Sequence, residues 1–155
     1  MSEFAAKKLQ VLLVEDSPGD MKQMLRDLPQ LFEQAKQPAK LHPCSTFEEA
    51  FELVADASVR YDMVISDTYR GETGNGDAQG KEIVDRFRNG RFCPLLMISS
   101  GVKPLGIEES PFLVWADKAH PEQVDAGVIR LLETQVPRLA RLLHDQLDHV
   151  SGSYL

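Results

Sequence analysis

The chain has 155 residues, 43% of them hydrophobic, which is enough to bury one substantial core in a single domain. Its net charge of -7 disfavours a nucleic-acid surface, because phosphate backbones are gripped mainly by Lys and Arg, and suits a metal cation wherever carboxylates gather. No stretch is apolar for long enough to span a membrane, the N-terminus lacks a secretory pattern, and the two cysteines, Cys44 and Cys93, have neither CxxC nor Cys/His ligand spacing, so a soluble cytoplasmic protein with reduced core thiols is expected.

The first predicted element is the apolar run Val11 to Val14, which stops at Glu15 and Asp16. Ser17 then caps a helix with Pro18 in its first turn, and Met21, Met24, Leu25, Leu28 and Leu31 recur along it at helical spacing. Around Leu41 to Cys44 lies a weaker strand, whose Pro43 cannot donate a ladder hydrogen bond and so belongs at a sheet edge. Thr46 and Glu49 form a capping box for a helix carrying Phe47, Ala50, Phe51 and Val54 inward. The run Met63 to Ser66 ends at Asp67, and a helix from about Gly80 turns Ile83, Val84 and Phe87 to the core. Leu95 to Ile98 stops at Ser99 and Ser100, Phe112 to Trp115 runs into Asp117 and Lys118, and a last helix from Pro121 packs through Val124, Val128, Leu131 and Leu132.

Apolar runs without alternation belong to strands buried on both faces, the mark of a parallel sheet covered by helices. Ligands of such sheets bind outside the carboxyl ends of the strands, so the four polar endings converge on one pocket. At about 4 Å, with an effective dielectric of about 20, each pair of gathered carboxylates repels by roughly 4 kcal/mol. Mg²⁺ relieves this, since it takes hard oxygen ligands and keeps positions for water or phosphate oxygens. In such a site Asp67 is the nucleophile toward phosphorus, Lys118 and the metal stabilise the phosphoryl oxygens, and Ser99 donates to another of them.

These residues resemble the receiver domains of two-component response regulators over roughly Leu9 to Thr134, through Glu15 and Asp16 after the first strand, Asp67 after the third, Ser99 after the fourth and Lys118 after the fifth. The stretch from Val14 to Asp20 is similar to that of phytochrome-associated single-domain receivers. The resemblance implies an α/β fold, a doubly wound, flavodoxin-like five-stranded parallel sheet in the order 2-1-3-4-5, flanked by helices. It further implies a Mg²⁺ site formed by Asp16 and Asp67, by Glu15 acting largely through water, and by the main-chain carbonyl of Tyr69. Asp67 becomes the phosphoacceptor, served by Lys118 and Ser99, and Trp115 becomes the aromatic whose rotamer follows the switch hydroxyl. A non-enzymatic signalling module is implied, with a histidine kinase or phosphotransfer protein as its partner.

Three departures qualify the match. The segment from Thr68 to Gln79 is longer than the family's loop, has Arg70 and Gly71 in place of Met-Pro, and adds Gly74 and Gly76, which implies a mobile lid. Gly101, Pro104, Gly106 and Pro111 cannot support a helix of usual length between the fourth and fifth strands. Ala119 stands where a proline generally follows the lysine, so the usual cis bond is not expected there.

Blander readings remain beside these. Ser99 and Ser100 both offer hydroxyls that can satisfy backbone groups, Trp115 suits packing as well as switching, and His42, His120, His144 and His149 read as surface or boundary residues. The altered loops also fit a pseudo-receiver, a phosphorylation-independent interaction or dimerisation module. A phosphatase of the haloacid-dehalogenase type would need a second aspartate two residues after the nucleophile, where Tyr69 stands. Residues 1–134 are assigned to the receiver domain and 135–155 to a helical extension or linker. There Leu132, Val136, Leu139, Leu143, Gln146 and Val150 trace a short heptad seam interrupted by Pro137, which serves either a helix packed on its own domain or a homodimer coil. Ser151 to Leu155 reads as a linker toward an appended output domain.

Overall fold

The strands β1 (Leu9–Val14), β2 (Ala39–Cys44), β3 (Met63–Asp67), β4 (Leu95–Ser99) and β5 (Leu113–Asp117) pair in parallel as one sheet, in the order β2-β1-β3-β4-β5. This computed structural model describes residues 8–56, 58–68, 82–88, 93–100, 103 and 107–133. The helices are α1 (Pro18–Gln34), α2 (Phe47–Ala55), α3 (helical over 82–88) and α4 (helical over 121–133). The fold class and strand order expected from the sequence are therefore those observed. Every residue of β3 and β4 is buried, as their unalternated apolar runs require. Edge strand β2 is mostly half-buried or exposed, and Pro43 sits on it opposite Leu13, where a missing N–H costs no pairing between two strands.

Two apolar layers sandwich the sheet. One joins Leu12, Val14, Val64, Leu95 and Met97 to Phe47, Phe51, Ile83 and Phe87 of α2 and α3. The other joins Val11, Leu13, Met63, Ile65, Leu96 and Ile98 to Leu28 and Phe32 of α1 and to Val124, Val128, Leu131 and Leu132 of α4. Alternate residues of one strand thus feed opposite layers, as the pleat dictates. Both cysteines are buried and free.

Local signals hold each helix in place. Ser17 caps α1, its hydroxyl accepting from the Asp20 N–H at 3.4 Å, with Pro18 in the first turn. Thr46 caps α2 by accepting from the Glu49 N–H at 3.3 Å. The inward face of α1 differs from the expected one in one respect: Leu25 is exposed, and Phe32, fully buried, fills the core in its place. Leu25 lies at the flank of the stripe made by Met21, Met24, Leu28 and Phe32, and instead borders a surface cleft with Pro18, Met21 and Ser45. Among the described residues between β4 and β5, Lys103 and 107–112 are not helical, in keeping with the glycines and prolines there. No cis peptide bond occurs among the described residues, those flanking Ala119 included. The long segment after Thr68, Tyr69 with it, and the C-terminal seam beyond 133 lie outside the described residues, as do His144 and His149.

Two backbone positions show opposite conflicts with their residues. Helix α1 ends in a Schellman pattern, with Gln37 N–H donating to the Phe32 carbonyl and Lys36 N–H to the Glu33 carbonyl, and Lys36 takes the left-handed φ of 61° that favours glycine. In α4, Gly127 lets the helix approach the sheet so closely that a Cβ there would lie 2.8 Å from Leu96 Cδ1. Urea denaturation is expected to show Lys36→Gly stabilising the fold by up to about 1 kcal/mol. Gly127→Val is expected to destabilise it by about 2 kcal/mol, since overpacking a filled core outweighs the gain over glycine in a helix.

Candidate functional site

The register of the sheet brings the polar strand endings together. Order β2-β1-β3 places a topological switch between β1 and β3, where the chain leaves one half of the sheet for the other and a crevice opens at the carboxyl ends. Glu15 and Asp16 follow β1 and Asp67 closes β3, on the two sides of that crevice. One carboxylate oxygen from each of the three lies within 4.8 Å of the others, as expected. Glu15 and Asp67 are buried, whereas Asp16 faces solvent.

Lys118, just past β5, reaches back across the site. Its Nζ lies 3.1 Å from Glu15 Oε2, 3.3 Å from Asp67 Oδ2 and 3.0 Å from Asp20 Oδ2. The backbone aims it: Lys118 N–H donates to the Ser99 carbonyl at 2.9 Å, extending the β4–β5 ladder, and Asp117 Oδ1 accepts from the Ala119 N–H at 2.9 Å to shape the turn beyond. Sequence reasoning gave Asp20 no role. Its place in the first turn of α1 has a sufficient local reason in the helix dipole, and that hid its longer-range one.

The electrostatics are those of buried, crowded carboxylates. Burial and then the neighbouring Asp67 charge push the Glu15 carboxyl up to about 7, against the Ser17 N–H, which donates to Oε1 at 3.1 Å, and against Lys118. For Lys118, burial opposes the charge, but Asp67, Asp20 and Glu15 outweigh it and hold the ammonium above the ordinary lysine value. Among the described residues, the Lys118 ammonium is the cation in contact with the cluster of Glu15, Asp16 and Asp67. Such hard oxygens suit Mg²⁺ or a similar cation, and Glu15, Asp16 and Asp67 are the side chains that would hold it. The Tyr69 carbonyl, the remaining expected ligand, lies outside the described residues.

The hydroxyl side of the site is ordered too. Asp67 Oδ1 accepts from the Thr68 N–H at 2.6 Å, which fixes the carboxylate plane. Ser99 is fully buried, and its Oγ accepts from Trp115 Nε1 at 2.8 Å. The indole only donates, so it occupies an acceptor side of the hydroxyl and leaves the Ser99 hydrogen free to donate elsewhere. Ser100, the other candidate hydroxyl, is exposed. Ser99 and Trp115 are thus brought together. Among the described buried side-chain atoms, Thr68 Oγ1 has no hydrogen-bond partner, an unused polar group next to the central aspartate. His42 pairs with Gln10 at 2.7 Å and His120 lies near Asp117 and Glu122, away from this chemistry.

No family model matches this sequence, and no curated protein matches it significantly. Solved structures do. A response regulator receiver domain protein from Bacillus halodurans superposes with a TM-score of 0.55 at 18% identity, over 79% of this chain and 95% of that one. The receiver domain of the histidine kinase CKI1 from Arabidopsis thaliana, complexed with Mg²⁺, gives 0.55 at 21% identity, over 80% and 91%. A response regulator receiver domain protein from Clostridium thermocellum gives 0.54 at 15% identity, over 87% and 98%. The chain therefore has the receiver-domain fold, with an acidic cluster at its strand ends.

The burial of Glu15 beside Asp67 has a measurable consequence. Because the Glu15 carboxyl titrates higher in the folded chain than in the unfolded one, the folded state holds more protons between about pH 4.5 and 7. Stability should accordingly fall as pH rises through that window in metal-free buffer, by roughly 3 kcal/mol in all. Protons and the cation compete for the same oxygens, so calorimetric Mg²⁺ affinity should rise from pH 6 to pH 8. In Glu15→Gln both slopes should flatten, and slopes equal to the wild type's would show that Glu15 does not carry the effect.

Proposed function

We propose that the protein is a receiver that accepts a phosphoryl group on Asp67 in a Mg²⁺-dependent reaction and relays the change through conformation or association. The observation that carries this reading is the Lys118 ammonium reaching Asp67 and Glu15 at the mouth of the crevice, inside a receiver-domain fold. A cation held by Glu15, Asp16 and Asp67 would neutralise phosphoryl oxygens as charge develops. With acetyl phosphate as donor, a carboxylate oxygen of Asp67 forms the new bond to phosphorus. The bond from phosphorus to the acetate oxygen breaks, and its electron pair leaves with acetate. Lys118 meets the transferred oxygens, and the free hydrogen of Ser99 donates to one of them while Trp115 keeps the hydroxyl turned. Water later hydrolyses the acyl phosphate, releasing orthophosphate and restoring the carboxylate, which makes the modification a timed signal.

The implied donor is a histidine kinase or a phosphotransfer protein, in a cytoplasmic setting, and the protein's role is to carry the phosphoryl group and not to turn over a substrate. Among the described residues no helix is long and apolar enough to cross a membrane. A homodimer through the C-terminal seam and an appended output domain are the two routes by which the change would be read. The pseudo-receiver reading is favoured by one observation, the non-helical residues 107–112 where receivers carry a signalling helix. Both readings meet in a single experiment. Incubation with Mg²⁺ and acetyl phosphate, followed by intact-mass measurement, should give one phosphoryl adduct that chelation or Asp67→Asn abolishes; an unmodified wild-type mass would support the pseudo-receiver.

A further inference from the structure

The Lys118 ammonium donates to Glu15 Oε2 at 3.1 Å and to Asp67 Oδ2 at 3.3 Å, and forms an ion pair with Asp20 Oδ2 at 3.0 Å. The three acceptors differ in what else claims them. Glu15 and Asp67 belong to the cluster whose oxygens converge for a cation, and Asp67 is also the site of phosphoryl attachment. Asp20 is outside that cluster. It projects from the first turn of α1, where the Ser17 cap receives its own N–H and fixes the backbone from which the carboxylate extends.

The geometry points to Asp20 as the positioning residue that anchors Lys118 when the other two carboxylates turn to the metal and the phosphoryl group. This rests on the phosphoacceptor reading of the site and deepens it. A lysine side chain carries large rotamer freedom, and an ammonium held only by groups that the reaction takes over would be released when it is needed. With Asp20 retained, one hydrogen stays fixed and the other two are aimed at the incoming phosphoryl oxygens. That is preorganisation of a charge at the position where negative charge develops. The pair spans the space between the start of α1 and the end of β5, and both side chains line a cleft with Met24, Leu28, Asp27 and Asp125. The side chain of Lys118 is 17% exposed and that of Asp20 42% exposed, so the anchor is reachable by solvent and its effect is moderate.

Asp20→Asn, Asp20→Glu and the wild type test this through two measurements. In the first, the rate of phosphoryl acceptance is followed against acetyl phosphate concentration at saturating Mg²⁺. The maximal rate of Asp20→Asn should fall by about threefold to tenfold, with the donor concentration at half-maximum and the Mg²⁺ affinity little changed, the size of a half-exposed charged hydrogen bond. Asp20→Glu, which keeps the charge, should recover part of the loss. In the second, nitrogen-detected NMR of the lysine ammonium groups, with Lys118→Arg giving the assignment, should show a solvent-protected Lys118 signal in the wild type. That signal should weaken in Asp20→Asn without metal and vanish with it. A wild-type or faster rate in Asp20→Asn, a loss matched by an equal loss of Mg²⁺ affinity, or an unaltered ammonium signal would overturn the anchor. If the wild type forms no adduct, the phosphoacceptor reading fails by itself, and the metal-free ammonium signal still decides whether Asp20 holds Lys118.

Discussion

Carboxylates crowded and partly buried at the carboxyl ends of the strands are the constraint on which the rest of this molecule turns. Glu15, Asp16 and Asp67 converge within 4.8 Å, and among the described residues Lys118 is the cationic side chain in contact with Glu15 and Asp67. Burial, and then the repulsion between neighbouring carboxylates, opposes folding, and the rise of the Glu15 carboxyl to about 7 expresses both in that order. The same crowding is what makes the site useful. A place where folding gathers carboxylates is a place where a hard cation, and then a phosphoryl group bound to it, gains the most.

The sheet supplies the strength to hold such a cluster. Its three central strands are sealed on both faces by apolar layers, and each fully buried Leu, Ile, Met or Phe contributes about 1.5–3 kcal/mol of burial. Like charges are thereby fixed to the stiffest part of the chain, at the ends of strands whose register cannot slip without turning core residues outward. The hydroxyl side follows the same logic. Trp115 and Ser99 belong to neighbouring strands, and the pleat sets their side chains on one face, so a half-buried indole finds its acceptor at 2.8 Å without help from a loop. A change beside Ser99 can therefore reach the edge strand β5 through packed, hydrogen-bonded groups.

Most of this was legible in the sequence, because continuous apolar runs identify central strands and the residues that stop them must lie at the carboxyl edge. Glu15, Asp16, Asp67, Ser99 and Lys118 declared themselves in that way, Trp115 came only from the family resemblance, and Pro43 marked the edge strand. Less legible was the rotational phase of α1, where Leu25 and Phe32 are both apolar and only the shape of the underlying sheet decides that Phe32 enters the core. Asp20 was hidden for a different reason. Its contact with Lys118 joins the start of the first helix to the end of the last strand, and no local periodicity encodes a pairing between elements so distant in the chain. The Tyr69 carbonyl and the C-terminal seam rest on the sequence alone, since both lie outside the described residues.

The central claim is that these oxygens form one cation site, and anomalous diffraction from crystals soaked in Mn²⁺, a hard divalent stand-in for Mg²⁺, examines it most directly. A single peak bonded to oxygens of Asp16 and Asp67, with Glu15 beside it, is the expected result. Anomalous density elsewhere, or none between these carboxylates at saturating metal, would contradict the account.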